Sequence, residues 1–207
     1  MRDLFSDSEP RAVCPVDGDV LFYPEPPWTA RASALFEQLH SELEWREGFV
    51  NIFGKSYKQP RLFAWYGDAD ASYAYSGTRY EPNPWTPTLL ELRLQLEALC
   101  DCSFNSVLAN LYRDGADGMG LHADDEPELG SEPTIASLSF GAPRAFRFKH
   151  KRRKDIDPIR LTLASGSLLL MRGATQQHWK HEVPKTKKPC GPRVNLTFRR
   201  IVPDARS

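Results

Sequence analysis

Two imidazoles and a carboxylate in this chain have the spacing of metal ligands. Leu121-His122-Ala123-Asp124 sets His122 and Asp124 two residues apart. On a strand, alternate residues project to one face, so both donors can reach one point. A further imidazole stands about sixty residues on, in Trp179-Lys180-His181, after the apolar run SLLLM. On adjacent strands, two histidines and one carboxylate suit iron(II) and leave positions open for a chelating co-substrate and oxygen. His178 competes with His181 for the third place, since a spacing of three fits one helix face. No apolar helical stripe surrounds it, however, and it reads better as a polar neighbour. The His-x-Asp pattern alone is short, and a surface histidine beside the acidic turn Asp124-Asp125-Glu126 would look the same.

A second constellation gives such a metal a co-substrate. Arg193-Val194-Asn195-Leu196-Thr197-Phe198-Arg199 alternates without a break. Val194, Leu196 and Phe198 take one face; Arg193, Asn195, Thr197 and Arg199 take the other. Two guanidiniums on an inward face are costly unless an anion meets them. A dicarboxylate is an apt partner, because arginine grips a carboxylate through two parallel hydrogen bonds. An edge strand with its polar face in water is the alternative. Asn110 and Tyr112, alternate residues of SVLANLY, would add an amide and a phenol to the same pocket.

These residues need a β-framework, and the rest of the chain supplies one. The 207 residues suit a single globular domain, and 17 prolines favour turns over a helical bundle. Residues 1–19 read as a flexible polar arm and 20–207 as one domain. Thr29 to about Arg46 reads as a helix with the stripe Leu35, Phe36, Leu39 and Leu43. Thr86 as N-cap and Pro87 at the first helical position open a second helix, with Leu89, Leu92, Leu96 and Leu99 at helical intervals. An aromatic, glycine-bearing stretch between them (about 48–84) suggests hairpins. From about 104 to 202 follow short strands: SVLANLY, TIASLSF, AFRFKH, IRLTLAS, SLLLM and RVNLTFRRIV. Such spacing fits a sandwich or barrel.

Charge and cysteine usage narrow the surroundings. The net charge is zero, yet residues 1–143 carry 10 basic and 23 acidic side chains, and residues 144–200 carry 16 basic and 3 acidic. That split points to a polyanionic partner such as nucleic acid, unless the two halves neutralise each other. No run approaches the ~20 apolar residues of a membrane span, and the N-terminus lacks a signal-peptide core. Cys14, Cys100, Cys102 and Cys190 form neither a disulfide framework nor a zinc pattern, so an intracellular setting with reduced thiols is expected.

Taken in order, HAD, WKH and RVNLTFR make the chain resemble the AlkB family of nucleic-acid dealkylating dioxygenases, and most of all its branch acting on double-stranded DNA. The similarity runs from NIFGK at 51 to RRIV at 199–202, through NLYRDGADGMGLHADDE, IASLSFGAPRAFRF, GSLLLM, HWKH and PRVNLTF. It implies a mainly β fold with flanking helices (α+β): a double-stranded β-helix, or jelly roll, with N-terminal helices and a nucleotide-recognition lid. It implies His122, Asp124 and His181 as iron(II) ligands, which decides against His178. Arg193 would hold the distal carboxylate of 2-oxoglutarate with Tyr112 and Asn195, beside Thr197. Asn110 and Arg199 would lie nearer the iron-chelating end.

The same resemblance assigns the substrate side. An alkylated base must leave the duplex stack to react, at a cost of about a few kcal/mol. Phe53, with Gly54 and Lys55, matches the hairpin that wedges into the resulting gap. Tyr73, Tyr75 and Ser76 match the base pocket, with Tyr75 where the family usually has phenylalanine; Arg61 joins the substrate side. Asp125 corresponds to an acidic residue facing the base edge, suited to a cationic alkylated base. Lys149, Lys151, Arg152 and Arg153, with Lys185, Lys187 and Lys188, match loops that hold the DNA backbone; a nuclear-import signal is the other reading of the first run. The implied reaction removes N-alkyl groups from bases such as 1-methyladenine or 3-methylcytosine, using iron(II), O2 and 2-oxoglutarate and yielding succinate, carbon dioxide and formaldehyde. The expected setting is a monomer on duplex DNA in the cytoplasm, or the nucleus of a eukaryote. The same chemistry on RNA or single-stranded DNA, and a non-enzymatic nucleic-acid-binding jelly roll, are the alternatives.

Overall fold

The computed structural model describes residues 9–52, 54–71, 73–75 and 78–202, with only the backbone at 51–52, 73–75 and 78–80. Alternation of apolar and polar residues builds two antiparallel sheets. The major sheet runs β1 (Arg11–Ala12), β2 (Asp19–Tyr23), β12 (Leu168–Arg172), β9 (Ile135–Gly141), β14 (Arg193–Arg199), β7 (Ser106–Tyr112), β4 (Lys55–Gly67), β3 (Arg46–Ile52). The minor sheet runs β11 (Ile159–Leu163), β10 (Arg144–His150), β13 (Trp179–Val183), β8 (Met119–His122). A separate hairpin pairs β5 (Tyr73–Tyr75) with β6 (Thr78–Tyr80). This is the expected jelly-roll arrangement.

Helices α1 (Ala32–Glu42) and α2 (Pro87–Cys100) cover the outer face of the major sheet. Leu39, Leu89, Leu92 and Leu96 are fully buried there, each contributing about 1.5–3 kcal/mol of hydrophobic stabilisation. Val194, Leu196 and Phe198 of β14 face these helices. The opposite face of the central strands looks into the space between the sheets. It carries Ser137, Ser139, Asn110, Arg193, Asn195, Thr197 and Arg199, all buried. Two β-sheets thus enclose a polar floor, which is costly unless it serves a ligand. β14 lies between β9 and β7 and is not an edge strand.

Helix α2 begins as expected: Thr86 Oγ1 accepts from Leu89 N at 3.2 Å, with Pro87 in the first turn. Helix α1 stops earlier than its stripe suggests. Leu43 is extended, the Glu44 amide donates to Tyr66 Oη at 2.9 Å, and strand β3 has begun by Arg46. Leu43 still fills the core from outside the helix. The expected arm over 1–19 is corrected from Arg11 onward. Arg11 and Ala12 pair with Phe22 and Leu21, Cys14 is buried, and Trp179 Nε1 donates to Val16 O at 3.1 Å. Thr175–His178 forms one helical turn, α3, where no helix was expected; a turn that short has no period to read. No helix among the described residues is long and apolar enough to cross a membrane.

Candidate active site

The metal-ligand set assembles at one end of the space between the sheets. Antiparallel pairing sets His122 of β8 directly opposite His181 of β13, with their rings 4.3 Å apart. The ligand atoms of His122, Asp124 and His181 lie within 4.8 Å of one another. β8 ends at His122, so Asp124 is not placed by strand alternation as expected. It is placed by its own backbone: Asp124 N donates at 3.0 Å to Oε1 of Gln176, a buried residue of α3. Asp124 Oδ1 also accepts from Arg199 Nη2 at 2.9 Å.

Electrostatics keep Asp124 and His181 in ligating form. Burial alone would raise the Asp124 carboxyl, but Arg199, then His181 and His122, hold it down at about 2. Burial, aided by His122, lowers His181 to about 3 against the pull of Asp124, leaving a neutral imidazole. His122 Nδ1 meets Gly120 O at 2.8 Å; as donor to that carbonyl it leaves the Nε2 lone pair for a metal. His181 is fixed by packing, stacked on Phe146 at 5.4 Å. His178 points elsewhere and stacks on His150.

Behind the triad lies an inner cavity lined by Asn110, Tyr112, Ser137, His181, Asn195, Thr197 and Arg199. Arg193 is fully buried beside it, its guanidinium 5.2 Å from the centre of the Tyr112 ring. One of its nitrogens donates to Ser139 Oγ at 2.8 Å; Nε and Nη1 have no hydrogen-bond partner among the described residues. Burial pulls this arginine down to about 10. A buried guanidinium that Ser139 and Tyr112 only partly satisfy fits a carboxylate. Asn195 departs from its expected role. Its Nδ2 donates to Ser137 Oγ at 2.9 Å and Leu138 O at 2.8 Å, so both amide hydrogens are committed and none is left for a carboxylate. It shapes the wall instead.

In front of the triad an outer cavity of about 110 Å³ opens, walled by Gln59, Arg61, Phe63, Trp65, Asn110, Met119, Glu126 and Arg199. Arg61, expected on the substrate side, is buried here and donates from Nε to Asn110 Oδ1 at 2.7 Å. Asn110 and Arg199 border both cavities. Asp125, expected to face a base edge, turns away: it is exposed and takes Lys151 Nζ at 2.9 Å. Its neighbour Glu126 lines the cavity instead, with Oε2 buried and unpartnered among the described residues. Lys151, expected on a backbone phosphate, is held in that pair and on Gln176 O at 2.7 Å. Arg153 is paired with Asp155, whereas Lys149, Arg152, Lys185, Lys187 and Lys188 are exposed. Gly54 makes the β3–β4 turn at φ 75°, beside exposed Lys55. Phe53 and Ser76 lie outside the described residues, and of Tyr73 and Tyr75 only the strand backbone is described.

Another group, Asp17, His150 and His178, also brings ligand atoms within 4.8 Å, but hydrogen bonding argues against a metal there. His150 Nδ1 accepts from the amides of Arg152 and Arg153 at 3.2 and 2.9 Å. A neutral ring then carries its proton on Nε2, which faces Asp17 at 3.3 Å as a donor and not as a ligand. The residues missed by sequence reasoning are Gln176, Ser137, Ser139 and Glu126. The serines had a signal, since they alternate with Ala136, Leu138 and Phe140 in β9.

Residues 20–199 match the family model described as the 2OG-Fe(II) oxygenase superfamily. The chain is 44% identical over 183 residues to the DNA oxidative demethylase ALKBH2 of Mus musculus, covering 84% of this chain and 77% of that protein. The chain belongs to the AlkB family of these oxygenases. It is also 45% identical to the alpha-ketoglutarate-dependent dioxygenase alkB homolog 3 of Bos taurus, over 84% of this chain and 63% of that protein. The solved structure of OsALKBH1 superposes with a TM-score of 0.62 at 15% identity, over 93% of this chain and all of that one, a likeness of fold. As an AlkB-family dioxygenase the protein uses iron(II), 2-oxoglutarate and oxygen. The donor set described above suits the metal, and the partly satisfied guanidinium of Arg193 suits the co-substrate's far carboxylate. When bound, iron(II) with 2-oxoglutarate would activate O2, the oxidant that hydroxylates a C–H bond while 2-oxoglutarate is decarboxylated to succinate. The chain's own residues would hold the metal and the co-substrate, and they wall a space beside them.

Proposed function

We propose that the protein oxidatively removes N-alkyl groups from bases in DNA, of the 1-methyladenine and 3-methylcytosine type, and that its substrate is duplex DNA. The observation that carries this reading is the outer cavity opening over His122 and Asp124, with aromatic walls at Phe63 and Trp65 and polar groups at Arg61, Asn110 and Glu126. A planar base fits such walls: aromatic faces hold its rings, and a carboxylate favours the positive charge of an alkylated ring. The relatives named DNA oxidative demethylase support the same substrate class.

Duplex binding is supported by the β3–β4 hairpin, whose strand β4 contributes Gln59, Arg61 and Phe63 to the cavity wall before running out to the turn at Gly54. Phe53, which precedes Gly54 in the sequence, would fill the gap left by the flipped base, with Tyr73, Tyr75 and Ser76 contributing to the base pocket. Lys149, Arg152, Lys185, Lys187 and Lys188 would meet phosphates. The reading includes a monomer in an intracellular setting, cytoplasmic or nuclear, in keeping with four cysteines that are free thiols.

The test compares formaldehyde release from single- and double-stranded oligonucleotides carrying the same methylated adenine, with Phe53→Ala alongside the unaltered enzyme. Selective loss on the duplex is expected. Equal loss on both substrates would remove the duplex assignment.

A further inference from the structure

The outer face of the minor sheet carries charge that neither cavity uses. Alternation in β10, β11 and β13 turns Phe146, Phe148, Leu163, Trp179 and His181 inward and leaves Arg147, Lys149, Arg160 and Lys180 outside. The register then sets like charges against each other: Arg147 lies opposite Arg160, and Lys149 opposite Lys180. Directly opposed like charges weaken a sheet. Glu182 is the single acid on these three strands, and it is already ion-paired with Arg147. Lys149, Arg160 and Lys180 have no acidic partner among the described residues.

Two other basic groups lie at the ends of the same strand. Beyond the C-terminal end of β10, Arg152 and Lys154 are exposed in a turn whose amides are fixed on His150 Nδ1. At the start of β10, a groove brings Lys185 and Lys188 beside Ala145, itself on the outer face. The seven residues of β10 span the interval between them, about 20 Å of strand. The result is one continuous basic track on a rigid sheet. On β10, β11 and β13 its uncharged members, Ala145 and Thr162, are small, and the one exposed aliphatic side chain of the sheet, Leu121, stands on the edge strand β8, so the track itself offers no apolar anchor for a protein partner.

We infer that Arg160 and Lys180, with Arg147, extend the phosphate contacts proposed above for Lys149, Arg152, Lys185 and Lys188 across the outer face of the minor sheet, which takes the phosphodiester backbone of nucleic acid outside the stretch that enters the cavity. A phosphate seated between opposed cations turns their mutual repulsion into shared attraction, so the registry is unfavourable only while the face is empty. Contacts of this kind hold a backbone without reading sequence. Edge strand β8 carries His122 on the inward side of the same sheet, so the surface begins beside the cavity and leaves its mouth clear. The inference rests on the nucleic-acid reading above.

The experiment uses the full chain with Arg160→Gln and Lys180→Gln combined, and a charge-keeping control, Arg160→Lys with Lys180→Arg. Binding to an unmodified duplex of about 24 base pairs is followed by fluorescence anisotropy across salt concentrations. Loss of two phosphate contacts should lower the slope of log K against log salt by about 1.8, at about 0.9 per contact. The control should restore it. Formaldehyde release from a methylated trinucleotide, too short to reach the face, should be unchanged. An unaltered salt slope overturns the proposal. So does an equal loss of trinucleotide turnover, which would mean a disturbed cavity, or a slope change confined to vesicles of anionic lipid. If the unaltered enzyme turns over no methylated DNA yet the slope still falls by the stated amount, the substrate reading fails and the surface stands.

Discussion

Arg193→Met should weaken co-substrate binding and at the same time stabilise the co-substrate-free protein. The guanidinium is fully buried, with one donor on Ser139 and two unused among the described residues. Removing one partner of a buried charge pair costs about 3–5 kcal/mol, so the Kd for 2-oxoglutarate should rise roughly 100- to 5,000-fold. With no co-substrate bound, the substitution removes a buried charge that no carboxylate among the described residues offsets and puts an apolar chain of similar length in its place. A gain of up to about 1–4 kcal/mol is expected, against the loss of the contacts with Ser139 and Tyr112. For a protein of this size that raises Tm by about 2–4 °C per kcal/mol. Anaerobic calorimetric titration of 2-oxoglutarate onto manganese-loaded protein gives the first quantity, and thermal melts without co-substrate give the second. A structural arginine would behave in the opposite way. A lower Tm with an unchanged Kd would refute the assignment.

Three further outcomes follow from the same geometry. Gln176→Met should weaken metal binding by about 10- to 100-fold and cost the metal-free protein about 1–3 kcal/mol, since the buried amide of Asp124 loses its acceptor; metal titration and thermal melts check it. His181 sits at about 3 in the fold against an ordinary 6.5, so between those values the folded protein binds fewer protons than the unfolded chain and loses stability as pH falls. From pH 7 to 5 the metal-free protein should lose about 2 kcal/mol by urea denaturation; His181→Asn should flatten that slope, and the contribution of Asp124, held at about 2, should vanish only below the usual carboxylate range. Gly141→Ala should destabilise by about 2 kcal/mol or more, because φ is 90° there and a Cβ would sit 2.5 Å from Pro192 O; a denaturation midpoint within error of the parent would contradict this.

The features legible in the sequence were those with a local period or cap. Thr86-Pro87 marked the start of α2 within a residue, and the alternation of 193–199 separated the helix-packed face of β14 from its polar floor. Where a stripe outlived its helix, the reading overran: Leu43 continues the spacing of α1 but reaches the core from an extended backbone. Pairings distant in sequence left no mark. Nothing in Asp124-Asp125-Glu126 reveals which carboxylate turns inward, because that is decided by Lys151, 26 residues away, taking Asp125. Gln176 was invisible for the same reason, 52 residues from the amide it holds. The arm at 11–19 was misread because a two-residue strand has too few residues to alternate.

The most direct test of iron-dependent dealkylation at the His122–Asp124–His181 site measures formaldehyde and succinate released from duplex DNA bearing 1-methyladenine, with and without 2-oxoglutarate, for the unaltered enzyme and His122→Ala. The account predicts both products together, in equal amounts, from the unaltered enzyme only and only with 2-oxoglutarate present. Formaldehyde release by His122→Ala at the unaltered rate, or release independent of 2-oxoglutarate, would contradict it.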